Sequence, residues 1–288
     1  MTALGYYPGC SLSSGALELD RSVRALAELA GVPLREVEDW NCCGASAAHN
    51  LNHDLAVALP YRVLALAESQ GLKDVLAPCA ACFSRLKGTA VRLRRSPELA
   101  GKMREVTGQE YSNSVSIVNA LEFANRLLED GLAGKLTHPL TGLKVAAYYG
   151  CLLSRGEDIV TGEDAENPSG MEAAIRSAGC ESVPWPFATE CCGGGFSMSM
   201  TRAVEDLSAT ILVGARDAGA EILVTSCPMC HSNLDMRQLS IRPERLGGPR
   251  MPILYLSELL CLAAGVDAEK IGLDRHFVDA TALACRNE

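Results

Sequence analysis

Several features that would settle this chain's class by themselves are missing from it. No uncharged apolar run of about 18 residues is present to span a bilayer, and the opening MTALGYYPGC has neither a basic segment nor an apolar stretch of signal-peptide length. Aromatic residues make up only 5% of the chain, and 26 Lys and Arg are outnumbered by 35 Asp and Glu, for a net charge of -9. No arginine stripe is interleaved with aromatics, which argues against nucleic acid as a partner. The expectation is an acidic cytoplasmic protein, long enough at 288 residues for two ordinary domains with real cores.

Cysteine, by contrast, is abundant. A reducing compartment keeps thiols free and a chain of this size needs no staples, so thirteen cysteines read as metal ligands rather than a disulfide framework. Ten of them form one constellation written twice: Cys10, Cys42-Cys43, Cys79 and Cys82, then Cys151, Cys191-Cys192, Cys227 and Cys230. The last four of each set recur at an offset of 148 or 149 residues, the mark of a duplicated domain.

Residues 4 to 8 read as a strand stopped by Pro8-Gly9, which delivers Cys10, and Ala16 to Ala30 follows with helical apolar spacing closed by Gly31. Leu34 to Val37 reads as a strand leading to Cys42-Cys43-Gly44, Asp54 to Ser69 as an apolar helix, and Asp74 to Ala77 as a strand before Cys79. A polar helix follows Cys82, and Val115 to Glu129 reads as one further helix. Gly131 to Gly142 is the candidate linker, giving domains at 1–135 and 143–288.

The second half replays the order: a strand at Leu143 to Tyr149 before Cys151, a helix from about Ser169 to Ala178, and Val183 to Phe187 leading to Cys191-Cys192. A helix at Thr201 to Ala218 and a strand at Glu221 to Thr225 before Cys227 complete it. The polar stretch Ser154 to Pro168 reads as a surface loop inserted into one copy. The pattern predicts an α/β fold of two domains, each a small, mostly parallel sheet flanked by helices. Every cysteine group then sits where a strand hands over to a helix, the place where open α/β sheets bind ligands.

A structural zinc site needs four ligands, and each copy offers five. Neighbouring cysteines such as Cys42 and Cys43 do not face one way on a regular strand or helix, but a glycine-assisted turn lets them reach neighbouring irons of a larger cluster. Cys-x-x-Cys at a helix start puts two sulfurs on one turn, where the terminal amides favour thiolate. Gly44 and Gly193 to Gly195 allow backbone amides close to cluster sulfur.

The doubled motifs Tyr-Pro-Gly-Cys10, Asn41-Cys42-Cys43-Gly44, Cys79-x-x-Cys82, Gly150-Cys151, Glu190-Cys191-Cys192-Gly193 and Cys227-Pro-Met-Cys230 resemble the cysteine-rich CCG-domain family, most closely the B-type subunits of heterodisulfide reductase. The resemblance covers both halves and all ten cysteine positions. It implies that each set binds a noncubane [4Fe-4S] cluster, that the two domains are related by a pseudo-twofold with the clusters facing each other, and that a disulfide such as CoM-S-S-CoB is cleaved between them. It further implies electrons arriving from a C-type subunit with cubane [4Fe-4S] clusters, fed by an A-type flavin subunit. The chain has no C-x2-C-x2-C-x3-C run of its own, in keeping with a separate donor.

The alternatives are a relay subunit of a dehydrogenase, of a sulfur-oxidising Hdr-like complex or of an electron-bifurcating complex, and zinc or a different cluster in the first site. Beyond the clusters, His49 and His231 are the candidate catalytic groups, as hydrogen-bond partners of sulfur or proton donors to a departing thiolate. The basic run Arg85 to Arg104 and Arg237, Arg242, Arg245 and Arg250 are candidates for an anionic substrate or partner, or solvated faces. Cys180, Cys261 and Cys285 lie outside the pattern and read as buried thiols or as chance occurrences.

Overall fold

A computed structural model describes residues 3–45, 47–156, 158–160 and 164–285. The chain builds two four-stranded sheets, every strand pair parallel, with strand orders β2-β1-β3-β4 and β6-β5-β7-β8. The first holds β1 (Leu4–Tyr6), β2 (Leu34–Glu36), β3 (Asp74–Leu76) and β4 (Ser116–Val118). The second holds β5 (Lys144–Tyr148), β6 (Glu181–Ser182), β7 (Ile222–Thr225) and β8 (Ile253–Tyr255). Inner strands are buried on both faces, as parallel strands covered by helices must be: all four residues of β7 are buried.

Numbering only the helices of eight residues or more, the first half carries α1 (Leu17–Ala30), α2 (Leu55–Ser69), α3 (Ala80–Arg95), α4 (Pro97–Thr107) and α5 (Ala120–Glu129). The second carries α6 (Gly170–Ser177), α7 (Thr201–Asp217), α8 (Pro228–Met236) and α9 (Leu256–Ala263). The strand order reverses between β1 and β3, and again between β5 and β7. Each reversal opens a crevice at the carboxyl edge of the sheet.

The expected α/β architecture is present, with three local refinements. Val115 to Glu129 is a strand and then a helix, because Asn119 breaks the run. Its side chain accepts from the Glu122 amide at 2.9 Å while Glu122 accepts from the Asn119 amide at 3.3 Å, a reciprocal cap that starts α5. The second strand of the repeat lies just before the stretch Val183 to Phe187, at Glu181–Ser182, because Val183 is followed by Pro184, Trp185 and Pro186, and proline has no amide for a ladder. The stretch from Ser154 to Pro168 is not simply a surface loop. Asp158 pairs with Arg95 at 2.6 Å, and Ile159 lies 3.4 Å from where a Cβ on Gly88 would stand, so this part of the insertion packs on α3 of the other half. Residues 157 and 161–163 of it lie outside the described set.

The halves share one continuous apolar core. Each sheet's last strand feeds a helix that crosses to the partner half: α5 packs against α6, and α9 packs against α1. At the second crossing the Ser22 and Ser257 hydroxyls meet at 2.7 Å in the interior, and the Cys261 thiol lies 3.5 Å from the Ser22 carbonyl. The candidate linker is itself pinned, with Lys135 Nζ donating to Leu29 O at 2.5 Å and Leu140 buried. No described helix is long and apolar enough to cross a membrane.

Asn119→Ala removes one side of the reciprocal cap and leaves the Glu122 amide without its acceptor. Urea unfolding is expected to lose about 1 kcal/mol, and Asn119→Asp, which keeps the acceptor, to lose less than half of that.

Candidate functional site

All ten repeated cysteines converge at the two reversal points. In the first half Cys10 follows β1, Cys42 and Cys43 follow β2, and Cys79 follows β3 as the residue preceding α3, with Cys82 in its first turn. The second half repeats this with Cys151 after β5, Cys191 and Cys192 after β6, and Cys227 and Cys230 at the start of α8, where Pro228 fits because the first helical amide has no intrahelical acceptor. Sulfur–sulfur distances match across the repeat: Cys10 to Cys42 is 3.9 Å and Cys151 to Cys191 is 3.8 Å, while Cys43 to Cys82 is 3.3 Å and Cys192 to Cys230 is 3.5 Å. The Gly44 and Gly193 amides each reach the first sulfur of the adjacent pair at 3.4 Å.

Gly9 and Gly150 explain how the backbone passes so close. Both have positive φ, 61° and 62°, and a Cβ on either would stand 3.0 Å from the sulfur of Cys82 or Cys230. One tyrosine completes each frame. Tyr7 donates to Asn41 O at 2.8 Å and Tyr148 to Glu190 O at 2.7 Å, so each phenol holds the residue just before the paired cysteines. Burial, followed by the neighbouring thiolates, pushes both phenols up, which keeps the proton on oxygen for that bond. By composition alone Tyr7 reads as core packing and Tyr148 carries no signal. The legible signal is their spacing, since Tyr7, Gly9 and Cys10 all recur at 141 residues, as Tyr148, Gly150 and Cys151.

The thiols within each set oppose one another. The hydrogen bond with Cys82 holds Cys79 down at about 7 against the cost of its burial, and that with Cys230 does the same for Cys192, also at about 7. Their partners Cys82 and Cys230 are driven well above the ordinary thiol value, first by hydrogen bonds to neighbouring sulfurs. Burial and then the facing sulfur raise Cys10 to about 11 and Cys151 to about 12. Five sulfurs so close cannot all be anionic without positive charge among them, which is the donor set of a thiolate-bound metal group.

Between the halves lies a cavity of about 420 Å³, lined by Cys151, Cys191, Cys192, Cys227 and Cys230 on one side and by Ala45, His49 and Ala81 on the other, with Tyr149, Leu152, Phe196 and Met229 among the rest. No Lys or Arg among the described residues lines it. A second cleft of about 340 Å³ brings Cys10 against Gly194, Ser197 and Met229, so the first set also borders the partner half.

His49 is at the cavity. Arg85 donates to Ala45 O and to His49 Nδ1, each at 3.0 Å, which places the ring proton on Nε2. His231 is not among the lining residues. It is 4% exposed, stacked on Tyr255 at 4.2 Å, with Nε2 donating to Ile253 O at 2.9 Å. Asn233, which belongs to no sequence motif, donates to Cys192 O at 3.1 Å and lies 3.7 Å from the Cys192 sulfur. Arg237 supports the same loop through Ser197 O at 2.6 Å. Four of the other basic candidates are committed to surface pairs: Arg95 to Asp158, Lys102 to Asp54, Arg104 to Glu110 and Arg245 to Asp206. Cys180 and Cys261 are buried outside the two sets, and Cys285 is exposed.

A family model described as cysteine-rich domain, CCG, matches residues 4–87 and 145–235. The 8-methylmenaquinol:fumarate reductase membrane anchor subunit of Wolinella succinogenes is 32% identical over 96% of this chain and 98% of its own. The B-type subunit of the ferredoxin/F(420)H(2)-dependent CoB-CoM heterodisulfide reductase of Methanosarcina acetivorans is 26% identical over 96% of this chain and 94% of its own. A hypothetical protein from Helicobacter pylori of known crystal structure superposes with a TM-score of 0.77 at 14% identity, over 97% of this chain and 52% of that one, a likeness of fold.

Gly9→Ala and Gly150→Ala force both a left-handed alanine and a methyl against sulfur. Each is expected to lose about 1–3 kcal/mol in urea unfolding. Gly15→Ala, at an exposed position with nothing within 4 Å, is expected to change stability by less than about 0.5 kcal/mol.

Proposed function

Because the chain belongs to the cysteine-rich CCG domain family, we propose that Cys10, Cys42, Cys43, Cys79 and Cys82 hold one noncubane [4Fe-4S] cluster and Cys151, Cys191, Cys192, Cys227 and Cys230 a second. The two sets lie in domains bounded at 1–135 and 143–288. The chain acts as the B-type subunit of a heterodisulfide reductase-like complex, reducing a disulfide held in the cavity between the halves. The observation that carries this reading is the matched convergence of five sulfurs at both strand-order reversals, each beside a glycine whose missing Cβ leaves space at the sulfur. The residues fit such a group, since no described cationic side chain contacts the sulfurs to balance them and backbone amides already point at Cys42 and Cys191.

Clusters held in this way supply single electrons, and cleavage of a disulfide to two thiols takes two electrons and two protons. His49, with its proton kept on Nε2 by Arg85, is placed at the cavity to serve a departing thiolate. Tyr149, Leu152, Phe196 and Met229 give the cavity apolar walls. Without a lining cation, the sulfonate and phosphate of CoM-S-S-CoB would be buried unpaired, so the disulfide suited to this cavity has uncharged ends. Electrons come from a C-type subunit with cubane clusters and an A-type flavin subunit, as the resemblance to heterodisulfide reductase implies.

A second reading has a specific observation in its favour. Phe196 lines the cavity, and Leu51, Met198 and Met200, which follow the lining residues Asn50 and Phe196 in the chain, are 76%, 94% and 54% exposed, apolar side chains suited to a quinol. The Wolinella relative belongs, by its name, to a menaquinol-oxidising reductase. In that case the chain relays electrons for a dehydrogenase.

Protein purified without oxygen is expected to be brown and to contain about eight irons and as many acid-labile sulfides. Cys43→Ala and Cys192→Ala should each lose about half of the iron, and a colourless zinc protein would overturn the cluster reading. With an artificial donor, the reduced protein should turn over disulfides with uncharged substituents at least tenfold faster than charged ones, and Cys192→Ala should abolish it. Reduction by a menaquinol analogue with no disulfide turned over would place the chain under the second reading.

A further inference from the structure

On α8, beyond the lining of the cavity, three side chains that serve neither cysteine set come together. His231 and Asp235 stand one helical turn apart on α8, so they share a face. His276 comes from the segment that follows α9. One ligand atom from each lies within 4.8 Å of the other two. All three side chains are interior: His231 and Asp235 are 4% and 1% exposed, and the His276 side chain is 0% exposed.

Each is held from behind in the manner of a metal ligand. His231 Nε2 donates to the Ile253 carbonyl at 2.9 Å, which leaves Nδ1 with its lone pair. His276 Nε2 meets Glu258 Oε1 at 2.9 Å, and Glu258 is fixed by the Tyr255 amide at 2.8 Å. The Asp235 carboxylate accepts from the Phe277 and Val278 amides at 2.7 and 2.9 Å and retains further lone pairs. Imidazoles backed by a carbonyl and by a carboxylate are the arrangement that orients metal-binding histidines. His276 Nδ1, finally, is buried with no hydrogen-bond partner among the described residues. A buried ring nitrogen left unpaired is costly unless something occupies it.

Charge makes the same point. Two carboxylates, Asp235 and Glu258, are enclosed with two imidazoles, and one divalent cation brings that enclosure to neutrality with both rings neutral.

We propose that His231, Asp235 and His276 form a binding site for one zinc ion, separate from the cysteine sets. Imidazole and carboxylate donors suit zinc, at about 2.0–2.2 Å from each ligand, and side-chain movements of about an ångström bring the three atoms onto it. The ion ties the C-terminal segment around His276 to α8, the helix that begins at Cys227 and Cys230. It therefore braces the second cysteine set from the rear without touching sulfur.

The test uses the full chain, purified without oxygen and incubated with zinc chloride, then desalted. Elemental analysis is expected to find one zinc per chain besides iron, and the zinc X-ray absorption edge to report nitrogen and oxygen neighbours only. His276→Gln and Asp235→Asn should each lower zinc affinity at least tenfold while leaving the iron and sulfide content unchanged. Absence of zinc, sulfur among its neighbours, or full retention in both variants overturns the site. Sulfur neighbours would put zinc in a cysteine set, so the outcome is distinct from the fate of the cluster reading. If both ligand variants fail to fold, Glu258→Gln decides by chelator competition: a drop of about 10–100-fold supports the site, and unchanged affinity overturns it.

Discussion

Five sulfurs have to be brought close to one another from three separate places in the chain, and they repel as they ionise. A single loop cannot deliver Cys10, Cys42 and Cys79, which are up to 69 residues apart. A parallel sheet can, because its strands all end on one edge, and a reversal in strand order spreads the departing loops around a crevice. The details that follow are consequences of crowding. Glycine stands where backbone passes sulfur, phenols tie down the approach to the paired cysteines, and helices begin at Cys79 and Cys227 so that their first amides face thiolate.

The same frame accounts for the way the halves join. The sheets alone leave α1 and α6 with apolar faces, and each is covered by a helix that belongs to the other half, α9 and α5. This exchange brings both crevices toward one interface and leaves the apolar cavity there. It also makes the interface part of the core rather than a docking surface, with Ser22 and Ser257 sealed inside it. Relative motion of the halves would have to break that core, so the separation between the sets is a fixed property of the fold.

Cysteine spacing makes the repeat legible, and apolar periodicity with terminal glycines locates α1, α2 and α7 to within a residue or two. What local pattern does not reveal is set by contacts. The strand at Ser116–Val118 is three residues long, and the apolar helix that follows masks it; only the Asn119–Glu122 cap separates them. The elements β8 and α9 are not legible because their meaning is tertiary, the edge of one sheet and the cover of the opposite half. Asn233 and Arg85 carry no motif, yet they occupy equivalent positions 148 residues apart, on the helices that follow Cys79 and Cys227. The tyrosine pair becomes visible in the sequence once the repeat is extended beyond cysteine.

The equivalence of Arg85 and Asn233 separates two otherwise matched sites. Arg85 donates to the loop after Cys43 and carries His49 with it. Asn233 donates to Cys192 itself and is relayed through Ser197 to Arg237, which is one step farther back. The first set thus has a guanidinium charge close by, and it helps lower the Cys43 thiol after the stronger effect of Cys82. The second has a neutral amide in its place. A fixed positive charge in a poorly solvated site favours the more negative state of whatever it faces, and an amide dipole does so less. Duplication supplied two sites of the same shape, and the exchange of one side chain at one register makes them electrically unequal. The cavity therefore lies between a site that is charged at its margin and one that is not.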